Sequence, residues 1–589
     1  MPITKASSSQ NLYFTGLILI ALGMPLSTFL MSLGQFCIAA AWLMEGQYRS
    51  KIESFLRNPI CLGLLAYFLL HVIGMAFTTD TQIGLRELRI KVPLFVVPFL
   101  LATSPPLSPQ KFRALINTFI FACFCGTFVS MGVYFHLIPT KHIIRDTRDI
   151  SIYVSHIRFS LMLVLAVFLI PINNWHSTSL PKLNLQLPTR RFLQLLLMTW
   201  FVIFLFILHA LTGVIILLLI SIGLGLYQII KSRNVLLKWT SCSALLLLLI
   251  GGFFYLRTLY LEVYQPLIPY SPQLVHSHLT TPSNSPNSPN SPNSSNSPSS
   301  PNSPNSPNSS INPNFNSTSI SNKELTPSGN PYHQDTINAF ANSENGHSVG
   351  AYTCWPEMKL VWNKRSAVPF DSINKTGDTI KFTLLRYLAS MGLRKDSAGV
   401  TQLSAIDIKA IENGITNFHY LHYSGLTVRI LQTFWELKQY QYAGGVDGHS
   451  LTMRFEFWKA AIGVIKQHLW FGVGTGDFHQ AMQEQYTLNH SPLSMANRLD
   501  SHNQYLSVMV SFGLIGLLIF LVSLLMPFFV PSARPQPSPS SSQTSNKSMA
   551  YIIFFAILCC SFFNEDTLTT QAGVTFYVFF NSVLLFARL

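Results

Sequence analysis

Long uncharged apolar runs dominate the pattern of hydrophobic and polar positions along this chain. Runs long enough, as helices, to cross roughly 30 Å of hydrocarbon recur along the chain. We count about twelve such runs, and they predict an all-α fold, a polytopic membrane helix bundle. The predicted spans are 12–29, 31–46, 59–78, 91–105, 113–135, 157–172, 192–210, 211–230, 239–256, 504–529, 549–563 and 572–587.

One long polar stretch divides these spans into two groups. We therefore predict an N-terminal transmembrane bundle of about nine spans over 1–256, a large loop over 257–502, and about three C-terminal spans over 503–589. Within the loop, residues 282–310 are only Pro, Ser and Asn. Such a tract has nothing apolar to offset its ordering entropy, so we expect it to be disordered.

Helical periodicity returns beyond about residue 352 and predicts a mainly helical lid over 352–476. The run LSAIDIKAIENGI is typical of a helix capped by Ser404 and ended at Gly414. The run VRILQTFWELKQYQYAGG predicts a second, amphipathic helix, on which Arg429 and Glu436 lie two turns apart.

The end of the lid combines an amphipathic helix with a glycine turn. Its apolar positions recur in steps of three and four and share one face, which either lies on a membrane or packs on the bundle: Phe455, Trp458, Ile462, Ile465 and Leu469. Glycine alone takes positive φ without steric cost, so Gly472, Gly474 and Gly476 are expected to end this helix before Asp477 begins the next.

Charge decides the orientation of the bundle. The chain is 11% charged, whereas about 25% is usual for a soluble domain. If both termini are cytoplasmic, the short inside segments carry 15 cationic residues and the short outside loops carry six, which agrees with the positive-inside rule. The loop 257–502 is then extracytoplasmic. Membrane orientation also explains the net charge of +15, and no basic stripe interleaved with aromatics indicates a nucleic-acid partner.

The cysteines and acidic residues of this sequence do not form a pattern typical of a metal site. Seven of the eight cysteines sit in apolar runs, which argues against a structural disulfide or a thiolate zinc site. The sequence also has no cluster of acids ready for a divalent ion. We therefore predict chemistry without a metal or other cofactor.

The outside cations are not explained by orientation. Three of them lie within about one helical turn of the start of a predicted span: Arg86, Arg89 and Lys91. They are either anchors at the membrane interface or part of an anion-binding site. A second group of outside cations surrounds the next outer loop and consists of Arg145, Arg148 and Arg158, with His156 among them. This group is either a further anion site or a set of solvated ion pairs with Asp146 and Asp149.

Two other polar groups interrupt apolar runs near the same face. His209 falls at the turn between two spans, where a packing role is the ordinary reading. Glu565 and Asp566 follow a late span and either pair with an outer arginine or cap a helix end, and capping is favoured.

An outer face that carries several arginines and one histidine can both bind a phosphate group and accept a proton. Arginine donates paired hydrogen bonds to phosphate oxygens, so a cluster is suited to gripping a diphosphate. Histidine can take a proton from an attacking hydroxyl. We expect His502 to act as this base, with nearby arginines lowering its pKa.

A family resemblance adds to this reading. The runs RFEFWKAA from Arg454, GVGTGDF from Gly472, and HNQYL from His502, followed by Gly513 and Gly516, resemble the signature region of the O-antigen ligase and polymerase family. Its members are bacterial integral-membrane glycosyltransferases that take a glycan from undecaprenyl diphosphate at the periplasmic face. The segments GLRKDSAGVTQLSAIDIKAIENGI, SHIRFSLML and HALTGVIILLL resemble the Bacteroidetes-type branch.

The resemblance implies roles for individual residues. His502 matches the family's essential periplasmic histidine, and Arg454 matches the arginine that opens the last helix of the loop. Where many members have Ser-Arg, this chain has the run His209 to Gly213, and Arg158 is the expected replacement. The candidates are catalytic His502 and Arg454, diphosphate-binding Arg86, Arg89, Lys91, Arg158 and Arg429, and supporting Asn503, His209, Gly474 and Gly476.

The resemblance predicts a ligase of the bacterial inner membrane, active at its periplasmic face. It would move a glycan from an undecaprenyl-diphosphate-linked donor to an acceptor hydroxyl, with lipid A-core as the expected acceptor. A polysaccharide polymerase and a protein O-oligosaccharyltransferase need the same groups and stay open. A transporter of polysaccharide or lipid is the alternative from another class, but the spans are almost free of charge and show no internal repeat. The oligomeric state is left open.

Overall fold

The computed structural model of this chain describes residues 2–140, 144, 146–172, 187–270, 324–530 and 541–586. Within these ranges the fold is helical, and its only named strands are the two-residue β1 (Ser343–Glu344) and β2 (His347–Ser348), paired antiparallel. The predicted all-α class is therefore confirmed. The first group of helices is α1 (Pro2–Leu26), α2 (Thr28–Glu45), α3 (Tyr48–Leu56), α4 (Pro59–Gly74), α5 (Thr81–Thr103), α6 (Pro109–Tyr134), α7 (His156–Ile172), α8 (Leu187–Ile207), α9 (Leu211–Lys231) and α10 (Val235–Val263).

Among the described residues, seven further α-helices lie between the two groups of spans, and three follow the second predicted boundary. The middle helices are α11 (Trp355–Arg365), α12 (Ile380–Ser390), α13 (Ser397–Thr401), α14 (Ala405–Glu412), α15 (Gly425–Ala443), α16 (Ser450–Gln467) and α17 (Phe478–Leu488). The last three are α18 (Gln504–Phe529), α19 (Ser541–Asn564) and α20 (Gln571–Leu585). We call the described residues 324–503 the insert.

The apolar helices are those of a multi-pass membrane protein. Among the described residues, eight helices are long and apolar enough to cross a membrane, and three shorter ones are apolar. These eleven and α5 occupy the positions of the twelve predicted spans, while the number that crosses a membrane stays a prediction.

Helix α5 extends beyond the predicted fourth span, 91–105, at its N-terminal end. It begins at Thr81, where the Asp80 carboxylate accepts a hydrogen bond from the N–H of Ile83 at 2.9 Å. Arg86 and Arg89 therefore lie within this helix, before the predicted start of the span. The residue at which the span itself begins stays a prediction.

Burial separates the centre of the bundle from its edge. Every residue from Gly573 to Leu584 of α20 is buried, as expected for a helix surrounded by others, whereas α10 is exposed along most of its length. Helices α1 and α2 pack closely at two glycines, where a Cβ on Gly16 would lie 2.8 Å from the carbonyl oxygen of Gly34. Small residues permit such close contact between membrane helices.

The insert has two cores of its own. One, around Trp362, Tyr387 and Leu388, is built from α11 to α14. The other, around Phe457 and Tyr486, joins α16 and α17 to the start of α18. The insert is therefore packed onto the bundle through α18.

The helices predicted in this region are confirmed at their caps. The Ser404 hydroxyl accepts a hydrogen bond from the N–H of Asp407 at 3.2 Å at the start of α14, and Gly414 has φ +89° just beyond its end. Helix α17 begins at Phe478, directly after Asp477, as expected. The Asp477 carboxylate does not cap it, but accepts the N–H groups of Thr79 and Asp80 at 2.8 and 2.9 Å.

Helix α18 is interrupted at Gly513, where φ is +63° and ψ −162°. The turn 469–474, between α16 and α17, satisfies the backbone on both sides of this break. Val473 donates its N–H to the oxygen of Val510 at 2.9 Å, and Leu514 donates to that of Leu469 at 2.8 Å. We call residues 469–474 the glycine turn.

The Ser-Pro-Asn tract 282–310 lies outside the described residues, as does Arg145. The boundaries proposed for the three regions, 1–256, 257–502 and 503–589, stay predictions.

Candidate functional site

One face of the bundle carries the insert, and we call it the insert face. The connections α4–α5, α8–α9 and α19–α20 meet there. Thr475 donates its side-chain hydroxyl to the oxygen of His71, and Asn564 donates to the hydroxyl of Thr212 at 2.9 Å. Residues far apart in the sequence therefore come together on this face.

His502 lies on the insert face, two residues before α18. Its backbone is in the left-handed region, with φ +47°, and its N–H donates to Oδ2 of Asp566 at 2.7 Å. The ring is tilted against that of Phe457, with centroids 5.5 Å apart, and the side chain is 31% exposed. Left-handed backbone in a residue other than glycine is uncommon and concentrates at functional sites.

Glu565, in the connection between α19 and α20, joins the two predicted catalytic residues. Its Oε1 accepts a hydrogen bond from Nη2 of Arg454 at 3.1 Å, and its Oε2 lies 3.6 Å from Nδ1 of His502. The side chains of Arg454 and Glu565 are 17% and 13% exposed. The structure thus brings His502 and Arg454 to the same carboxylate from different elements.

Arg158, in the first turn of α7, belongs to the same group. Burial raises the pKa of Glu565, but His502, Arg454 and Arg158 outweigh that effect and hold it below the ordinary value of a glutamate. The Nε atoms of Arg158 and Arg454 and the Nδ1 atom of His502 are buried and have no hydrogen-bond partner. Buried donors without partners are rare, and these three belong to residues whose charges act on Glu565.

Arg454 lowers the pKa of His502, as expected, but the net shift of this pKa is upward and not downward. Burial lowers this pKa and Arg454 adds to the effect, but the Glu565 carboxylate, assisted by the charge of Asp566, raises it above the ordinary value of a histidine. Two acids that we expected chiefly to cap helices therefore determine the protonation of His502.

Asp566 is fully buried beside Glu565. It accepts the backbone N–H of His502 and that of Asn503, at 2.7 and 3.0 Å, and the Ser507 hydroxyl at 2.5 Å. Burial is the main cause that raises its pKa. Asp566 thus holds the backbone that leads into α18, whereas Glu565 pairs with an arginine, which was the alternative to capping.

Asn503 is the N-cap of α18. Its side-chain oxygen accepts the N–H groups of Tyr505 and Leu506 at 3.0 and 3.1 Å, while its amide donates to the oxygen of Phe563 at 3.0 Å. Asn503 therefore supports the backbone of His502 and does not face the carboxylate of Glu565.

Lys91 lies elsewhere on the insert face. Its ammonium is buried and donates to the oxygen of Leu568 at 2.5 Å and to Glu87 at 3.3 Å. A cavity of about 100 Å³ adjoins it, and among the described residues the lining includes Gln504 and His479 but not His502 or Arg454. Lys91 therefore faces a space beside the site that contains His502.

The remaining predicted cations lie farther from Glu565. Arg86 and Arg89 are exposed on α5, and no contact within the described ranges joins them to His502 or Arg454. Arg429, on α15, donates to Glu436 at 3.1 Å and to the Ser450 hydroxyl at 2.7 Å. Because Ser450 is the first residue of α16, Arg429 fixes the helix on which Arg454 stands.

The other supporting candidates hold the backbone in place. His209, with φ +49°, forms a hydrogen bond with the Thr147 hydroxyl at 2.8 Å and packs closely against Gly425 at the start of α15. Gly474 donates its N–H to Ser511 within α18, and Gly476 donates to the hydroxyl of Thr78. These contacts seat α15 and the glycine turn on the bundle.

Comparison with known proteins adds one finding. A family model described as O-Antigen ligase matches residues 407–521, which contain Arg429, Arg454, the glycine turn and His502. Arg158 and Glu565 lie outside the matched region. No curated protein matches the chain.

Proposed function

This chain belongs to the O-antigen ligase family through its residues 407–521, and we propose that it transfers a glycan from undecaprenyl diphosphate to an acceptor hydroxyl. The family supports a membrane glycosyltransferase that uses a lipid-linked glycan donor and a glycan or lipid acceptor. Our proposal adds lipid A-core as the acceptor and the periplasmic face of the bacterial inner membrane as the location.

The convergence of Arg454, Arg158 and His502 around Glu565 carries this proposal. Two guanidinium groups with unused buried donors are suited to binding a second anion. A diphosphate supplies such an anion, and it offers several oxygens where the carboxylate offers two. In the proposal, Arg454 and Arg158 bind the diphosphate of the donor.

The transfer itself needs one proton acceptor and one stabilised leaving group. The acceptor hydroxyl attacks the anomeric carbon of the glycan, the bond from that carbon to the diphosphate oxygen breaks, and the lipid diphosphate departs with the electron pair. Nε2 of His502 takes the hydroxyl proton. The guanidinium groups stabilise the negative charge that develops on the diphosphate. In this scheme no metal ion takes part.

Glu565 is the positioning residue of this mechanism. Its carboxylate at 3.6 Å favours a proton on Nδ1 of His502, which leaves the lone pair of Nε2 free to act as base. Catalytic hydrogen bonds are often long in the absence of substrate, so a small closure completes this one. The higher pKa also makes the imidazole a stronger base.

We also propose roles for the other predicted cations, which lie farther from Glu565. Lys91 is proposed to extend the diphosphate site through its adjoining cavity, and Arg86 and Arg89 to hold lipid headgroups at the insert face. Arg429 is proposed to act through α16, by fixing Arg454.

The test is glycan transfer by the purified protein in lipid vesicles. Undecaprenyl-diphosphate-linked glycan is supplied with lipid A-core, with a second lipid-linked repeat unit, or with a protein acceptor. We expect glycan on lipid A-core and release of undecaprenyl diphosphate. Chain extension of the lipid-linked glycan would identify a polymerase, glycan on protein an oligosaccharyltransferase, and movement of the donor across the bilayer without transfer a transporter.

A matching experiment uses whole cells. Mass spectrometry of the envelope lipids of a deletion strain should show loss of glycan-capped lipid A-core and accumulation of carrier-linked glycan. Unchanged lipids in the deletion strain would contradict the proposal.

A further inference from the structure

The glycine turn begins with large apolar side chains that the protein itself does not cover. Trp470 is 58% exposed and Phe471 is 74% exposed, and Leu469 beside them is exposed as well. No Asp, Glu, Lys or Arg occurs from 468 to 476. An exposed apolar cluster of this kind, on a turn outside the candidate membrane-spanning helices, marks an interaction surface.

Helix α18 gives the depth at which this turn lies. The turn exchanges backbone hydrogen bonds with Val510 and Leu514, and α18 begins at Gln504. With a rise of about 1.5 Å per residue, these partners lie roughly 9 to 15 Å along the helix from its start. The glycine turn is therefore level with the interior of a candidate membrane span.

Helix α4 gives a second, independent indication of the depth of the glycine turn. Thr475, the next residue after the turn, donates its hydroxyl to the oxygen of His71 at 2.7 Å, and His71 lies inside the candidate span Pro59–Phe77. Exposed apolar side chains surround this end of α4, among them Ile73 and Phe77. Both spans thus place the turn within the apolar band of the bundle.

The interruption of α18 explains why the turn is built into the bundle. The break at Gly513 frees backbone groups that the helix cannot pair, and irregular backbone at membrane depth requires internal partners. The turn supplies them through Leu469 and Trp470, whose oxygens accept from Leu514 and Ile515. The side chains of Trp470 and Phe471 remain exposed beside this paired backbone.

We propose that Trp470 and Phe471 insert into the bilayer leaflet on the insert face and bind lipid acyl chains there. Tryptophan is favoured at this depth because its ring is apolar and its N–H can reach the headgroup level. The surface is thus a membrane anchor of the insert. A water-soluble protein partner does not fit, because the turn lies alongside two candidate spans.

The anchor has a consequence that rests on the proposed function. Helix α16 carries Arg454 in its first turns and leads into the anchor at its other end. Fixing the anchor in the leaflet fixes the height of Arg454 above the bilayer, where the diphosphate of a lipid-borne donor lies.

The experiment uses the full chain in vesicles of phosphatidylethanolamine and phosphatidylglycerol. The photoreactive amino acid p-benzoylphenylalanine replaces Phe471, and in a matched control it replaces Ile406, which is 70% exposed on α14. After irradiation, mass spectrometry of the protein identifies the adducts. We expect phospholipid adducts at position 471 and several-fold fewer at 406.

Equal labelling at the two positions, or adducts at 471 to protein instead of lipid, would overturn the proposal. A fluorescent amino acid at 471 gives a readout that does not depend on crosslinking. It should be quenched by lipids brominated on their acyl chains and protected from iodide in the water, and the reverse result would also overturn the proposal. Neither readout depends on glycan transfer, so both can fail or succeed separately from the proposed function.

Discussion

Glu565 accepts a hydrogen bond from Arg454, with 3.1 Å between Oε1 and Nη2. The pair joins the connection between the last two helices to the helix that carries the arginine. Removing one partner of a buried ion pair leaves the other without compensation, which makes the pair sensitive to substitution. Its second oxygen faces His502, so this carboxylate links the proposed diphosphate site to the proposed base.

The imidazole of His502 should be indispensable for transfer. Replacement by Asn, which tolerates positive φ, removes the base and keeps the backbone conformation. We expect transfer to fall about 10²- to 10⁴-fold, as measured by initial rates in vesicles. Membrane insertion and the melting temperature should stay near those of the natural protein. Transfer at the natural rate by His502→Asn would remove the assignment of the base.

Glu565→Gln should shift the pH profile of transfer. Glu565 raises the pKa of His502, so the variant has a lower pKa and more neutral imidazole at acidic pH. The acidic limb of the rate profile should therefore move to lower pH, while the maximal kcat falls because Nδ1 then faces a neutral amide in place of a carboxylate.

Initial rates across a pH series test this shift. Asp447→Asn, at an exposed carboxylate that binds Ser494 and Asn497, is the control and should leave the limb in place. A purely structural role of Glu565 would lower the rate at every pH without moving the limb.

Arg158→Gln should lower the catalytic efficiency of the protein with the lipid-linked glycan donor. Its guanidinium has a buried Nε without a partner, so the substitution breaks no hydrogen bond at that atom, yet it removes a charge from the proposed diphosphate site. We expect kcat/KM for the donor to fall about 10²- to 10³-fold. Arg57→Gln, at an exposed arginine after α3, is the matched control. Equal effects of the two substitutions would contradict the proposed role of Arg158 in binding the diphosphate.

Local patterns could predict the helices because hydropathy, period and caps are properties of neighbouring residues. Ser404 and Gly414 bound α14 as expected, and α18 occupies the predicted span. The charged first turns of α5 were excluded from the predicted span, since a hydropathy criterion cannot see the cap that Asp80 provides.

The site could be predicted only in part. His502 and Arg454 belong to recognisable motifs, but the contact between Arg454 and Glu565 joins residues 111 positions apart, and no local pattern encodes it. For the same reason the direction of the His502 pKa was wrong, because the arginines were visible in the sequence and the approach of Glu565 was not. One signal of this contact was available in the sequence, which is that Glu565 and Asp566 are isolated acids directly after a late predicted span.

Gly513→Ala should destabilise the junction between α18 and the glycine turn. The backbone of Gly513, with φ +63° and ψ −162°, costs an alanine about 1–3 kcal/mol, and its Cβ would lie 2.3 Å from the backbone carbon of Trp470, so the turn must also move. We expect a lower melting temperature in detergent, measured by intrinsic fluorescence. Gly223→Ala, on α9 where nothing lies within 4 Å of the new Cβ, should melt no lower than the natural protein. Equal melting temperatures for the two variants would mean that the interlocked turn contributes little to stability.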